Sequence, residues 1–177
     1  MDADDIIRKL DLAPHPEGGW YRQTWVAEGE GRPVGTCIYF LLRRGERSHW
    51  HRVDATEIWH YYAGAPILLH ISASDEGPAT TLTVGPDLAS GARPQGIVPE
   101  GQWQAAETTG EWTLVGCTVS PGFMFEGFEL AALGFDIPRG SAHPSTPCPQ
   151  RKNGGRSPRK VSPFRLILCT ARFLPAA

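Results

Sequence analysis

Ser48-His49-Trp50-His51-Arg52-Val53-Asp54-Ala55-Thr56-Glu57-Ile58-Trp59-His60-Tyr61-Tyr62-Ala63-Gly64 is the stretch whose reading decides the fold. Side chains alternate between the two faces of an extended strand, so His49 and His51, two apart, are predicted to share one face. Glu57 opens a second extended run in which Glu57, Trp59 and Tyr61 share a face, and Gly64 offers the turn that ends it. Two imidazoles on one strand and a carboxylate on the next is how a β-barrel can aim three polar groups into one interior. Such an interior is either a metal site or a polar ligand pocket.

Working outward, strand signals recur at barrel or sandwich spacing. Thr36-Cys37-Ile38-Tyr39-Phe40-Leu41-Leu42 is a nearly continuous apolar run, suited to a strand covered on both faces. Further runs are Ile67 to Ile71, Thr80 to Val84, Gly96 to Pro99, Gln102 to Ala106 and Thr113 to Val119, parted by turns such as Glu76-Gly77-Pro78 and Ser120-Pro121-Gly122. Before them, residues 2–12 form one short helix, with Asp2 or Asp4 as cap and Ile6, Ile7 and Leu10 on one face. The reading is all-β, with eight or nine short strands in a jelly-roll barrel or sandwich and one short N-terminal helix. After Phe128-Glu129-Leu130 the pattern fails. The barrel domain is therefore placed at 1–135 and a basic, Pro-rich tail, expected to be disordered, at 136–177, with Phe164 to Cys169 its one strand-like run.

In sequence order, several motifs resemble the cupin superfamily and, more narrowly, its cupin_5 (DUF985) family. They are His15-Pro16-Glu17-Gly18-Gly19-Trp20-Tyr21-Arg22, the Ser48–Gly64 stretch, Val98-Pro99-x-Gly101-x-Trp103-Gln104-Ala105-Ala106, and Val115 to Phe123 with Phe128-Glu129. The resemblance covers roughly residues 4–131. It implies a double-stranded β-helix, the cupin jelly-roll barrel, paired as a homodimer through outer strands, and it implies little about activity. Metal-dependent cupins carry three His and a Glu soon after the second His. Here the Glu comes later, at Glu57, and Gln104 stands where the third His would be. A glutamine amide is a poor ligand for the ions that imidazole suits, although His49, His51 and Glu57 could still form a facial triad for Fe, Mn, Ni or Zn.

The candidate catalytic residues are His49, His51, Glu57 and Tyr61. Burial of Glu57 beside aromatic rings would raise its pKa and suit it to acid–base work. Tyr39, Trp59, Trp103, Gln104 and Phe125 are candidate ligand-binding residues, since binding sites are mostly apolar with a few placed polar groups. Glu17 and Arg22 flank a glycine turn and would either close the barrel mouth or pin the N-terminal arm. Three functions remain open: an isomerase or epimerase on a carbohydrate-like substrate, a non-catalytic binding or sensor module, and a metal-dependent oxygenase or isomerase.

Bulk properties narrow the partners. The 177 residues are 41% hydrophobic and 20% charged, ordinary globular usage, while 20 Gly and 16 Pro favour short strands joined by turns. A formal net charge of −2 makes nucleic acid an unlikely partner for the whole molecule. It conceals an asymmetry, because residues 138–177 carry 8 Lys and Arg and no acidic residue. No run of apolar residues is long enough to cross a membrane, and the acidic N-terminus is not a secretory signal. Cys37, Cys117, Cys148 and Cys169 form no CxxC pair, so a reduced, cytoplasmic protein is expected. No Gly-rich phosphate loop or Gly-x-Ser-x-Gly elbow is present.

Overall fold

A computed structural model describes residues 1–140. In chain order the elements are α1 (Ala3–Leu10), β1 (Ala13–Pro14), β2 (Trp20–Val26), β3 (Thr36–Arg43), β4 (Arg47–Val53), β5 (Thr56–Gly64), β6 (Ile67–Ser72), β7 (Thr80–Val84), β8 (Gln95–Val98), β9 (Trp103–Thr108), β10 (Trp112–Ser120) and β11 (Phe128–Leu130). One sheet has the order β1-β2-β3-β10-β5-β8 and the other β11-β4-β9-β6-β7, with every named pairing antiparallel. The crossed-over order, in which sequence neighbours β3, β4 and β5 alternate between sheets, is that of a jelly roll.

Three apolar clusters follow from strand alternation. Between the sheets, Phe40, Leu42, Trp59, Leu69, Val98 and Val115 form the main core. On the outer face of the six-stranded sheet, Ile6 of α1 packs with Leu12 and Leu41, flanked by Tyr39 and Leu114. The helix starts as expected, with Asp2 accepting from Asp5 N at 2.8 Å, and it stops at Asp11 in the left-handed conformation. On the outer face of the five-stranded sheet, Trp50, Trp103 and Ala105 are covered by Ala131, Phe135 and Ile137.

That last cover corrects the domain boundary. Ile137 is fully buried, Asp136 accepts from Trp50 Nε1 at 2.7 Å, and Arg139 bridges to Ala79. The packed domain therefore runs on through residues 136–140. These residues pack as an irregular strap, which carries no periodicity for a sequence reading to find. The rest of the tail, with the run from Phe164 to Cys169, lies outside the described residues. Among the described residues no helix is long and apolar enough to cross a membrane.

Candidate functional site

Alternation on β4 breaks once, and the break builds the site. Ser48 pairs with Ala106 of β9 and His51 pairs with Gln104, so three steps on β4 oppose two on β9. This bulge turns both Ser48 and His51 inward, where simple alternation would have put them on opposite faces. His49 is turned the other way, its Nε2 3.0 Å from Ala132 O. The expectation that His49 and His51 share a face is thus corrected.

Beside the bulge, β4 offers a backbone donor to the loop that precedes β2. His49 N donates to Glu17 O at 2.8 Å, which docks the loop before β2 onto β4. The loop can come this close because Gly18 has φ +105° and a Cβ there would lie 2.2 Å from Arg47 O. Glu17 consequently projects into the barrel. Its Oε1 accepts from Ser48 Oγ at 2.8 Å, and its Oε2 lies 3.3 Å from His15 Nδ1 and 3.4 Å from His51 Nε2.

These groups line a cavity of about 130 Å³, with Glu57, Cys117 and Tyr21 and a mouth of Phe123, Phe125 and Phe128. His51 stacks on Phe128 at 5.5 Å between ring centres, and His15 meets Tyr21 edge-on at 4.5 Å. Burial pushes the Glu17 carboxyl up to about 7, against a downward pull from His15 and Ser48. Glu57 is also raised, first by burial, and both His51 and His15 are lowered for the same reason. The Cys117 thiol is pushed well above its ordinary range by burial and the nearby carboxyls, so it is no nucleophile.

His51 Nδ1 lies 2.8 Å from His49 O, an acceptor, so Nδ1 bears the proton and Nε2 presents its lone pair to Glu17. When protonated, Glu17 has two imidazole nitrogens within reach of its Oε2. Across the barrel, Trp59 Nε1 donates to Gln104 Oε1 at 2.8 Å, which orients the amide so that its Nε2 donates to Glu57 Oε2 at 2.5 Å. Gln104 is a positioning residue for Glu57.

The sequence candidates divide accordingly. His51, Glu57 and Phe125 line the cavity, and Gln104 and Trp59 stand directly behind Glu57. Tyr61 shares the inward face but its hydroxyl donates to Gly64 O at 2.6 Å, away from the cavity. Tyr39 faces outward beneath α1 and beside Tyr62, and Trp103 faces outward between Phe135 and Arg52. His15 and Glu17 were missed as chemical groups. The signal available was the compact His15-Pro16-Glu17-Gly18-Gly19 motif, in which paired glycines let a loop approach a strand.

A metal triad of His49, His51 and Glu57 is not assembled, because His49 points away and Glu57 is held by an amide. Among the described residues no group of three or more His, Cys, Asp or Glu is arranged to hold a metal ion.

The profile of the cupin superfamily DUF985 family (Cupin_5) matches residues 4–131, which include every cavity-lining residue. The chain belongs to the DUF985 cupin family. Protein SO0799 from Shewanella oneidensis is 44% identical, over 75% of this chain and 85% of that one, with a TM-score of 0.71. A hypothetical protein from Leishmania major is 30% identical, over 76% and 90% of the two chains, with a TM-score of 0.69. Oxalate decarboxylase from Bacillus subtilis shares the fold alone, at 14% identity over 68% and 30% of the chains and a TM-score of 0.53. No curated protein sequence matches the chain.

Proposed function

We propose that this DUF985 cupin binds a small molecule in the barrel and moves a proton on it, as an isomerase or epimerase of a carbohydrate-like carbonyl compound. The observation that carries this reading is the buried Glu17 carboxyl, Oε2 3.4 Å from His51 Nε2, in a mostly apolar cavity. An acid and a base side by side, both tuned toward neutrality, are what proton transfer near pH 7 requires. In the forward step His51 Nε2 takes the proton from the carbon beside the carbonyl. The C–H electron pair moves into the enolate, and the Glu17 proton passes to the enolate oxygen. Return of the proton from His51 to the neighbouring carbon, while the Glu17 carboxylate takes back a proton from the hydroxyl there, moves the carbonyl and completes the isomerisation. Glu57, held by Gln104, fixes a substrate hydroxyl.

Size limits the substrate. A cavity of about 130 Å³ is close to the ~150 Å³ that encloses a benzene-sized guest. The buried part of the ligand is therefore about six to eight non-hydrogen atoms, and anything longer extends past Phe125. Native mass spectrometry should reveal the metabolite that co-purifies, and incubation of that metabolite in D2O should introduce deuterium beside its carbonyl with wild-type protein but not with His51→Ala. Binding without exchange would instead establish a sensor or carrier. The homodimer expected from the family has a candidate surface on the outer face of the six-stranded sheet, where Tyr62 and Ile97 are exposed. A monomeric mass by light scattering would remove it.

A further inference from the structure

We propose that the ligand's buried group is an organic cation, an ammonium seated on Glu57 and against the rings of Phe123, Phe125 and Phe128. This rests on the reading of the cavity as the ligand site, and it narrows a carbohydrate-like substrate to an amine-bearing, unphosphorylated one.

The cavity's charge inventory is one-sided. Two carboxyl groups line it, while no Lys or Arg does. A phosphate or carboxylate entering would lose its hydration and meet two more acidic groups without a cation to pair with. A cation meets the reverse. Each carboxyl is more than nine-tenths buried, and removing it from water is costly unless an opposite charge arrives. Glu57 accepts from Gln104 Nε2 through Oε2 and interacts with the Cys117 thiol, and a carboxylate with about four lone-pair sites keeps capacity for a ligand N–H.

The mouth supports the same assignment. Phe123, Phe125 and Phe128 meet edge-to-face, with centres 5.1, 5.8 and 6.4 Å apart. Three rings inclined to one another at 63°, 83° and 84° present both faces and edges around one opening, and ring faces attract an ammonium. The enclosed space of about 130 Å³ accommodates a trimethylammonium head or a protonated amine on a short chain.

Proton linkage gives the site a signature. The other titratable groups facing it are His15 on the docking loop, Tyr21 on β2, His51 on β4 and Cys117 on β10. A cation on Glu57 favours the ionised form of that carboxyl and neutral imidazoles, so binding releases protons and tightens as pH rises.

The test uses the full chain and three probes by calorimetry: choline, its uncharged isostere 3,3-dimethylbutan-1-ol, and inorganic phosphate. Choline should bind at least tenfold tighter than the isostere, tighten between pH 6 and 8, and release a proton measurable from buffer-dependent heats. Glu57→Gln should weaken choline far more than the isostere and so remove this preference. Because that residue is buried, Phe125→Leu at the more exposed mouth gives a second variant, expected to weaken choline several-fold and the isostere little. Equal binding of choline and isostere would overturn the cation assignment and leave the cavity reading standing. Binding of phosphate in the cavity would overturn the assignment as well. If neither organic probe binds, both the assignment and the cavity reading fail.

Discussion

His51 and His70 are both almost fully buried, and each brings its Nε2 near a glutamate oxygen, at 3.4 Å for Glu17 and 3.2 Å for Glu107. Residue types, burial of the imidazole and distance nearly coincide. The surroundings do not. His70 lies on the outer face of β6, and its second nitrogen lies 2.9 Å from Thr81 Oγ1. Its glutamate is 38% exposed and has Arg139 3.7 Å away. Both ring nitrogens are thus occupied by side-chain partners, and the glutamate reaches solvent. Glu17, at 7% side-chain exposure, has no cation nearby and faces a cavity. A buried histidine beside a glutamate is therefore not a site by composition. What separates the two pairs is an unspent lone pair and a carboxyl driven toward neutrality by burial.

Substitutions can break that contrast. The largest effect is expected from His51→Ala, which should lower turnover of the co-purified metabolite by about 10²- to 10⁴-fold, the usual worth of a general base. Its thermal melt should stay closer to wild type than that of His70→Ala. Turnover that survives the loss of His51 would equate the two pairs.

Next comes Glu17→Gln, read by denaturant unfolding against pH. Between its ordinary 4.5 and about 7, the folded protein holds a proton on Glu17 that the unfolded chain has released. Stability from this group therefore falls as pH rises through that window and is flat above it. Glutamine mimics the neutral form, so the variant should gain on wild type by up to about 3 kcal/mol from pH 5 to pH 8. His15 and His51 contribute with the opposite sign on the acid side, but equally in both proteins to first order. A pH-independent difference would mean that Glu17 is ionised in the folded state.

His70→Ala should cost about 2 kcal/mol through the void left and the lost partners of Thr81 and Glu107, with turnover unchanged. The smallest effect is expected from Tyr61→Phe, at about 1 kcal/mol or less and with full turnover, because its hydroxyl only ties down the Gly64 turn. Loss of turnover there would return Tyr61 to the site and sharpen the role of β5.

Much of the fold was legible because turn residues punctuate short runs of period two, and the β5 alternation of Glu57, Trp59 and Tyr61 held. The site was legible only in part. A β-bulge inserts one residue without any compositional mark, so the spacing of His49 and His51 misled where Ser48 and His51 are the inward pair. Glu17 lies in a loop, where no periodicity indicates direction. Tyr39 sits in a run apolar on both faces, so nothing in that run says which residues look outward.

The docking loop has one further consequence. Glu17 reaches the barrel from an N-terminal arm that joins the sheet through two rungs, Ala13 with Tyr21 and Pro14 with Trp20, and touches β4 through the His49 N to Glu17 O bond. The barrel strands themselves are tied by longer ladders that do not involve this arm, such as the eight-rung pairing of β10 with β3. Lifting the arm would withdraw the acid and uncap the interior in one motion while the β-helix stays closed. The acid is thus carried by a segment outside the long β-ladders, anchored by Ile6 and Leu12 against Leu41 and by a few local hydrogen bonds.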